Sequence, residues 1–156
     1  MRDQNAWKAF RDGMVIPAYP LVLNKDRKLD EKGQRTLTRY YLDAGVGGLA
    51  VAVHTTQFAI RDPEVALFKP VLKIAAEEME AYEKKNYRPI FKVAGACGPA
   101  KQAVAEAELA KELGYHAVLL SPGGLSNYSE EQLIDRTKEV AKVLPVIGFY
   151  LQPSVG

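Results

Sequence analysis

The stretch Gly47–Phe58, GGLAVAVHTTQF, decides how the rest of the chain is read. Leu49 to Val53 is a short apolar run bounded by glycine, the pattern of a parallel strand buried on both faces. It stops at four side chains with chemistry, His54, Thr55, Thr56 and Gln57. Ligands of α/β sheets bind just beyond the carboxyl ends of such strands. Two adjacent hydroxyls and the backbone amides around them suit a small carboxylate. The plainer alternative is that Thr55 and Thr56 only satisfy the backbone of a tight turn, and spacing leaves both readings open.

Outward from this run, strands and helices alternate. Residues 1–12 read as a polar lead-in anchored by Trp7 and Phe10. Met14–Leu23 reads as a first strand broken by Pro17 and Pro20, its regular part near Gly13–Ile16. Asp30 caps a helix in which Leu37, Tyr40, Tyr41 and Ala44 recur at helical spacing, and Gly45 ends it. Downstream, Asp62-Pro63-Glu64 starts a helix presenting Val65, Phe68, Val71, Leu72, Ala75, Met79 and Tyr82, with Pro70 as a kink or break.

Pro89–Val93 is the third strand, and Pro99 opens a helix with Ala103, Val104, Ala107 and Ala110 inward. The fourth strand, Ala117–Leu120, ends at Ser121-Pro122-Gly123-Gly124. Ser129 and Gln132 form a capping box for a helix bearing Leu133, Thr137, Val140, Ala141 and Leu144. Val146–Tyr150 is the fifth strand. The fold class is therefore α/β, with about five parallel strands joined by four helices through right-handed crossovers. Two architectures compete. One is an open doubly wound sheet of five strands, the other the first half of a (β/α)₈ barrel, and length favours the open sheet, since a complete barrel needs about 250 residues. Against it, no helix follows the last strand to cover that face.

Composition narrows the function. A net charge of +2 without any basic run argues against nucleic acid. Apolar stretches stay well short of 18 residues, so no membrane span is expected, and MRDQNAWKAFRDG lacks the apolar core of a signal peptide. The single cysteine, Cys97, excludes an internal disulfide and suits a reducing, cytoplasmic setting. No Cys/His cluster suggests a metal, and no glycine-rich phosphate motif suggests a nucleotide, so no cofactor is expected. The strand ends bring His54, Thr55, Thr56, Cys97, Ser121 and Tyr150 to one rim. There His54 reads as a general acid or base or as a hydrogen-bonded strand end. Cys97 reads chiefly as a packed small residue, and Tyr150 as a rim phenol or a core aromatic.

Phe91-Lys92-Val93-Ala94-Gly95, Leu120-Ser121-Pro122, Gly148-Phe149-Tyr150-Leu151-Gln152-Pro153-Ser154 and His54-Thr55-Thr56 together resemble the dihydrodipicolinate synthase/N-acetylneuraminate lyase family. The resemblance runs from about Gly13 to the last residue. It implies a partial (β/α)₈ barrel over residues 13–156, the N-terminal half of a class I aldolase that forms a lysine Schiff base with pyruvate or a related 2-oxo acid. On it, Thr55 and Thr56 match the Gly-Thr-Thr-Gly-Glu turn that binds the oxo acid's carboxylate, the first Thr also relaying a proton, with His54 beside them as a substrate-binding residue. Tyr150 matches the proton-shuttling tyrosine of Tyr-x-x-Pro.

Departures from the family pattern point to a divergent member. Glycines and a glutamate around the threonines are replaced by His54, Gln57 and Phe58. The second tyrosine of the synthases faces Gly123 or Gly124, with Tyr128 nearby but out of register, and Val155 stands where they carry an arginine. The family's Schiff-base lysine lies on the sixth strand, beyond these five, and Lys92 is no equivalent. The isolated chain is therefore expected to be inactive, to self-associate as a homo-oligomer or to need a C-terminal half, with open strand edges and an uncovered inner face. The other class of function is a non-enzymatic half-barrel module for binding or assembly.

Overall fold

The computed structural model describes residues 2–148, and Phe149, Tyr150 and the remaining residues lie outside them. Within the described residues, five helices, α1 (Arg2–Asp12), α2 (Glu31–Asp43), α3 (Phe68–Asn86), α4 (Ala100–Glu112) and α5 (Glu130–Ala141), accompany four strands. The strands are β1 (Gly48–Val51), β2 (Phe91–Ala96), β3 (Ala117–Leu120) and β4 (Val146–Ile147). They pair in parallel in sequential order, β1-β2-β3-β4. Sequential order is the progression of a (β/α)₈ barrel, whereas a doubly wound sheet reverses direction at a switch point.

Residues alternate between two faces of this sheet, as strand geometry requires. Leu49, Val51, Ala94, Ala96, Val118 and Leu120 share one core with Leu42 of α2, Met79 of α3, Ala107 of α4 and Val140 of α5. Ala50, Phe91, Val93 and Ala117 lie in a second core, with Leu119 and Ile147 packed against it. The long crossover helices are thus on one side only, and the sheet is part of a barrel wall.

That second core includes residues from the segment read as a lead-in. They belong to α1, and Trp7 and Phe10 close on Phe91 at ring distances of 4.8 and 4.3 Å. Part of the inner face expected to lie bare is therefore covered. The two anchor residues were legible; the helix was not, because its polar surface masks a stripe of only Ala6, Trp7 and Phe10.

The first of the five expected strands is not a regular one. Val15–Tyr19 runs parallel to β1 through Gly47 N–H to the Val15 carbonyl, Ala50 N–H to Pro17 and Tyr19 N–H to Ala50, with one bridge between Ala18 and Ala50. Pro17 and Pro20 cannot donate to a ladder. Side chains replace it: Gln34 Nε2 donates to the Pro20 carbonyl at 2.9 Å and its Oε1 accepts from Val22 N–H at 2.8 Å. This draws Gln34 and Thr38 into the buried face of α2 beside Leu42, and leaves the expected core residues Tyr40 and Ala44 exposed.

A second correction concerns Pro70. The segment after Asp62 is a turn, and α3 begins at Phe68 with Pro70 in its first turn, where a missing N–H costs nothing. The capping box of α5 forms as the sequence implies, Ser129 Oγ accepting from Gln132 N–H and Gln132 Oε1 from Ser129 N–H. Among the described residues no helix is long and apolar enough to cross a membrane.

Candidate active site

The carboxyl end of β1 leads into two short 3₁₀ turns, His54–Thr56 and Phe58–Arg61. The chain reaches them through two residues in the left-handed half of backbone space, Ala52 at φ +63° and Gln57 at φ +76°. Such conformations cost an ordinary residue about 1–3 kcal/mol and persist only where surroundings enforce them. Here they turn His54 and Thr55 over the end of the sheet. Both side chains are exposed, and both line a cavity of about 330 Å³ with Ile16, Ala52, Gly95, Leu119 and Ser121. The cavity wall is largely apolar, with hydroxyls of Thr55 and Ser121 and the His54 imidazole as its polar points.

Gly95 permits the close approach of this wall. A Cβ there would stand 2.3 Å from the Ala52 carbonyl oxygen and 2.7 Å from its carbon, both backbone atoms. A second hollow of about 630 Å³ adjoins the first, sharing Phe58 and Ser121 and adding Cys97, Asn127 and Tyr128.

Of the residues singled out in sequence, Thr55, His54 and Ser121 meet at one cavity, and Cys97 borders the next. Thr56 does not join them. It is fully buried, and its hydroxyl donates to the Tyr19 carbonyl at 2.6 Å, securing the irregular first segment. Tyr150 lies outside the described residues. Burial pushes the Cys97 thiol up, with Glu106 adding to the effect and Arg61 and Arg136 only partly opposing it, as suits a packed residue rather than a nucleophile. Lys92 faces the helical side of the sheet, its Nζ 3.0 Å from Glu83 Oε2 of α3. No lysine is among the described residues lining either cavity.

Three residues not anticipated from sequence hold this rim together. Arg61 donates from Nη2 to the carbonyls of Ala52 and Gly95, each at 3.0 Å, and from Nε to Glu106 Oε1 at 2.9 Å. Glu106 Oε2 accepts from Cys97 N–H, and Gln102 Nε2 donates to Oε1. Arg136 repeats the device one strand on, from Nε to the Gly98 carbonyl at 2.7 Å and from Nη2 to that of Ser121 at 2.9 Å. The carbonyls at the ends of β1 to β3 thus meet a guanidinium instead of water. A signal existed. Glu106 and Arg136 occupy helical positions in register with Ala103, Ala107 and Val140, where a solvated charge does not belong.

The chain shares this architecture with known proteins. The E. coli K12 prophage protein YagE, of the dihydrodipicolinic acid synthase family and solved with pyruvate, superposes with a TM-score of 0.75 at 23% identity, over 90% of this chain and 45% of its own. N-acetylneuraminate lyase from Fusobacterium nucleatum gives 0.76 at 20% identity, over 92% and 47%. Dihydrodipicolinate synthase from Oceanobacillus iheyensis gives 0.74 at 16%, over 89% and 44%. In sequence, a probable 5-dehydro-4-deoxyglucarate dehydratase of Acinetobacter baumannii (strain AB307-0294) is 46% identical over 48 residues, 31% of this chain and 16% of that protein. No family model matches. The chain spans under half the length of the structures it matches, and over that length it has the partial (β/α)₈-barrel fold of the dihydrodipicolinate synthase and N-acetylneuraminate lyase proteins.

Proposed function

We propose that this chain provides the oxo-acid-binding half of a lyase of the class I aldolase type, acting on pyruvate or a related 2-oxo acid through a lysine Schiff base. One observation carries the reading: Thr55 and His54 stand exposed on an apolar cavity at the carboxyl ends of parallel strands, where barrels of this fold place their chemistry. YagE, of like fold, is a pyruvate complex. The stretch shared with a probable dehydratase favours carbon–oxygen over carbon–carbon cleavage.

In this reading the Thr55 hydroxyl donates to the substrate carboxylate, and apolar walls from Ile16, Ala50 and Leu119 exclude water. A neutral lysine amine supplied by the residues that complete the barrel adds to the ketone carbon. The resulting carbinolamine loses water to leave the imine, and each step needs a proton moved. Tyr150 and Thr55 are the groups proposed to move it, while Thr56 acts from behind by tying down Tyr19.

The test uses pyruvate and borohydride. The 156-residue chain should show pyruvate-induced NMR shifts at His54 and Thr55 but no reduced lysine adduct in its mass spectrum. Joined to the C-terminal half of a barrel of this fold, it should be labelled on one lysine of the added half. There, Tyr150→Phe and Thr55→Val should each slow turnover, by about 10²–10⁴-fold where a positioned acid–base group is removed. An adduct on Lys92, or unchanged turnover in both variants, refutes the assignment. A binding module without turnover is the second reading, which like the first places no lysine among the described lining residues. It gains if the joined protein binds pyruvate yet labels no lysine.

A further inference from the structure

Arg61 and Glu106 are each 9% exposed in their side chains, and Arg61 Nη1 is buried with no hydrogen-bond partner. A buried ion pair of this kind gains little stability over well-packed apolar side chains, because desolvation offsets the attraction. Its geometry is more specific than stability requires. One nitrogen, Nη2, spans two carbonyls at the carboxyl ends of neighbouring strands, Ala52 just beyond β1 and Gly95 near the end of β2. Ala52 is the left-handed residue from which the His54–Thr56 turn departs, and Gly95 is the residue whose missing Cβ lets that carbonyl approach. The guanidinium is packed 4.6 Å from the Phe68 ring centroid and 5.7 Å from that of Phe58, itself a cavity wall.

We infer that Arg61, oriented by Glu106, is the positioning residue of the candidate site. It ties the Ala52 and Gly95 carbonyls together, and so enforces the left-handed turn that carries His54 and Thr55 into the cavity. Its effect on ligand rests on the oxo-acid reading above; its effect on the turn does not. Lysine cannot replace it, since a point charge with one nitrogen lacks the planar fork that reaches two carbonyls and a carboxylate at once.

The experiment compares three forms of the full chain: wild type, Arg61→Lys, and Arg61→Met/Glu106→Gln. The double variant removes both charges together, so neither partner of the pair is left as a lone buried charge, and the amide oxygen it introduces can still accept from Cys97 N–H. Each is followed by the amide resonances of Ala52–Thr56, by pyruvate titration and by thermal melting. In folded variants the amides of residues 52–56 should move or broaden while those of α5 stay in place. Pyruvate binding should weaken about tenfold or more, the scale of one well-placed hydrogen-bonding group lost. If wild type fails to bind pyruvate but the amides move as described, the positioning role stands and the oxo-acid reading falls. Unmoved amides with wild-type binding overturn the inference. So does loss of folding in both variants, which would make Arg61 a stability residue alone.

Discussion

Phe91→Ala is the sharpest test of how the inner face is closed. Phe91 is fully buried at the start of β2, and three rings meet it: Trp7 edge-on at 4.8 Å, Phe10 stacked at 4.3 Å, and His116 stacked at 5.0 Å. Truncating a buried phenylalanine costs about 3–5 kcal/mol. Aromatic pairs add roughly 0.5–1.5 kcal/mol each beyond buried area, so three lost at once place this site near the top of that range. Since whole domains are stable by about 5–15 kcal/mol, the change removes a third or more of the total. Trp7 is the only tryptophan, so its emission reports α1 alone. Urea titrations followed by that emission and by far-UV circular dichroism should show a red shift of Trp7 before the sheet unfolds. Phe91→Leu, keeping most of the volume, should cost less than about 1.5 kcal/mol. A loss under about 1 kcal/mol in Phe91→Ala, with Trp7 emission unchanged, would refute the account of α1 as the cover of this face.

Two other outcomes follow from backbone and charge. Gln57→Gly places glycine at φ +76° and should raise stability by about 0.5–1 kcal/mol in chemical denaturation, the usual gain from relieving such a position. Glu78 lies between Arg39 and Arg35, at 2.6 and 3.1 Å. Burial raises its carboxyl, and hydrogen bonds from the two guanidinium groups outweigh this to leave it below the usual range. Because the folded value lies below the unfolded one, its contribution is present above the ordinary carboxylate range and is lost as pH falls through the depressed value. Melting temperature measured downward from about pH 6 should therefore fall less steeply in Glu78→Gln than in wild type.

The order of β1 to β4 with the helices α2 to α5, the run ending at His54-Thr55-Thr56 and the caps of α2 and α5 were present in sequence, whereas α1 was not. They are local: apolar period, glycine, proline and a capping side chain act over a few residues. Glu106 and Arg136 were visible as charges out of place, yet nothing local says what they hold. The groups they hold lie outside their own helices: Arg61 and the Cys97 N–H for Glu106, and the Gly98 and Ser121 carbonyls for Arg136. Only the fold separated the two threonines as well. They are neighbours of one residue type, but the 3₁₀ turn faces Thr55 to the cavity and Thr56 to the Tyr19 carbonyl, which Pro17 and Pro20 had left without a regular ladder. The amino-acid pattern by itself determined the succession from α2 to β4, because propensity and period are carried along the chain. The tertiary structure decided which hydroxyl faces the cavity and which charges sit buried behind it, because a hydrogen bond between distant residues exists only once packing has brought donor and acceptor within about 3 Å.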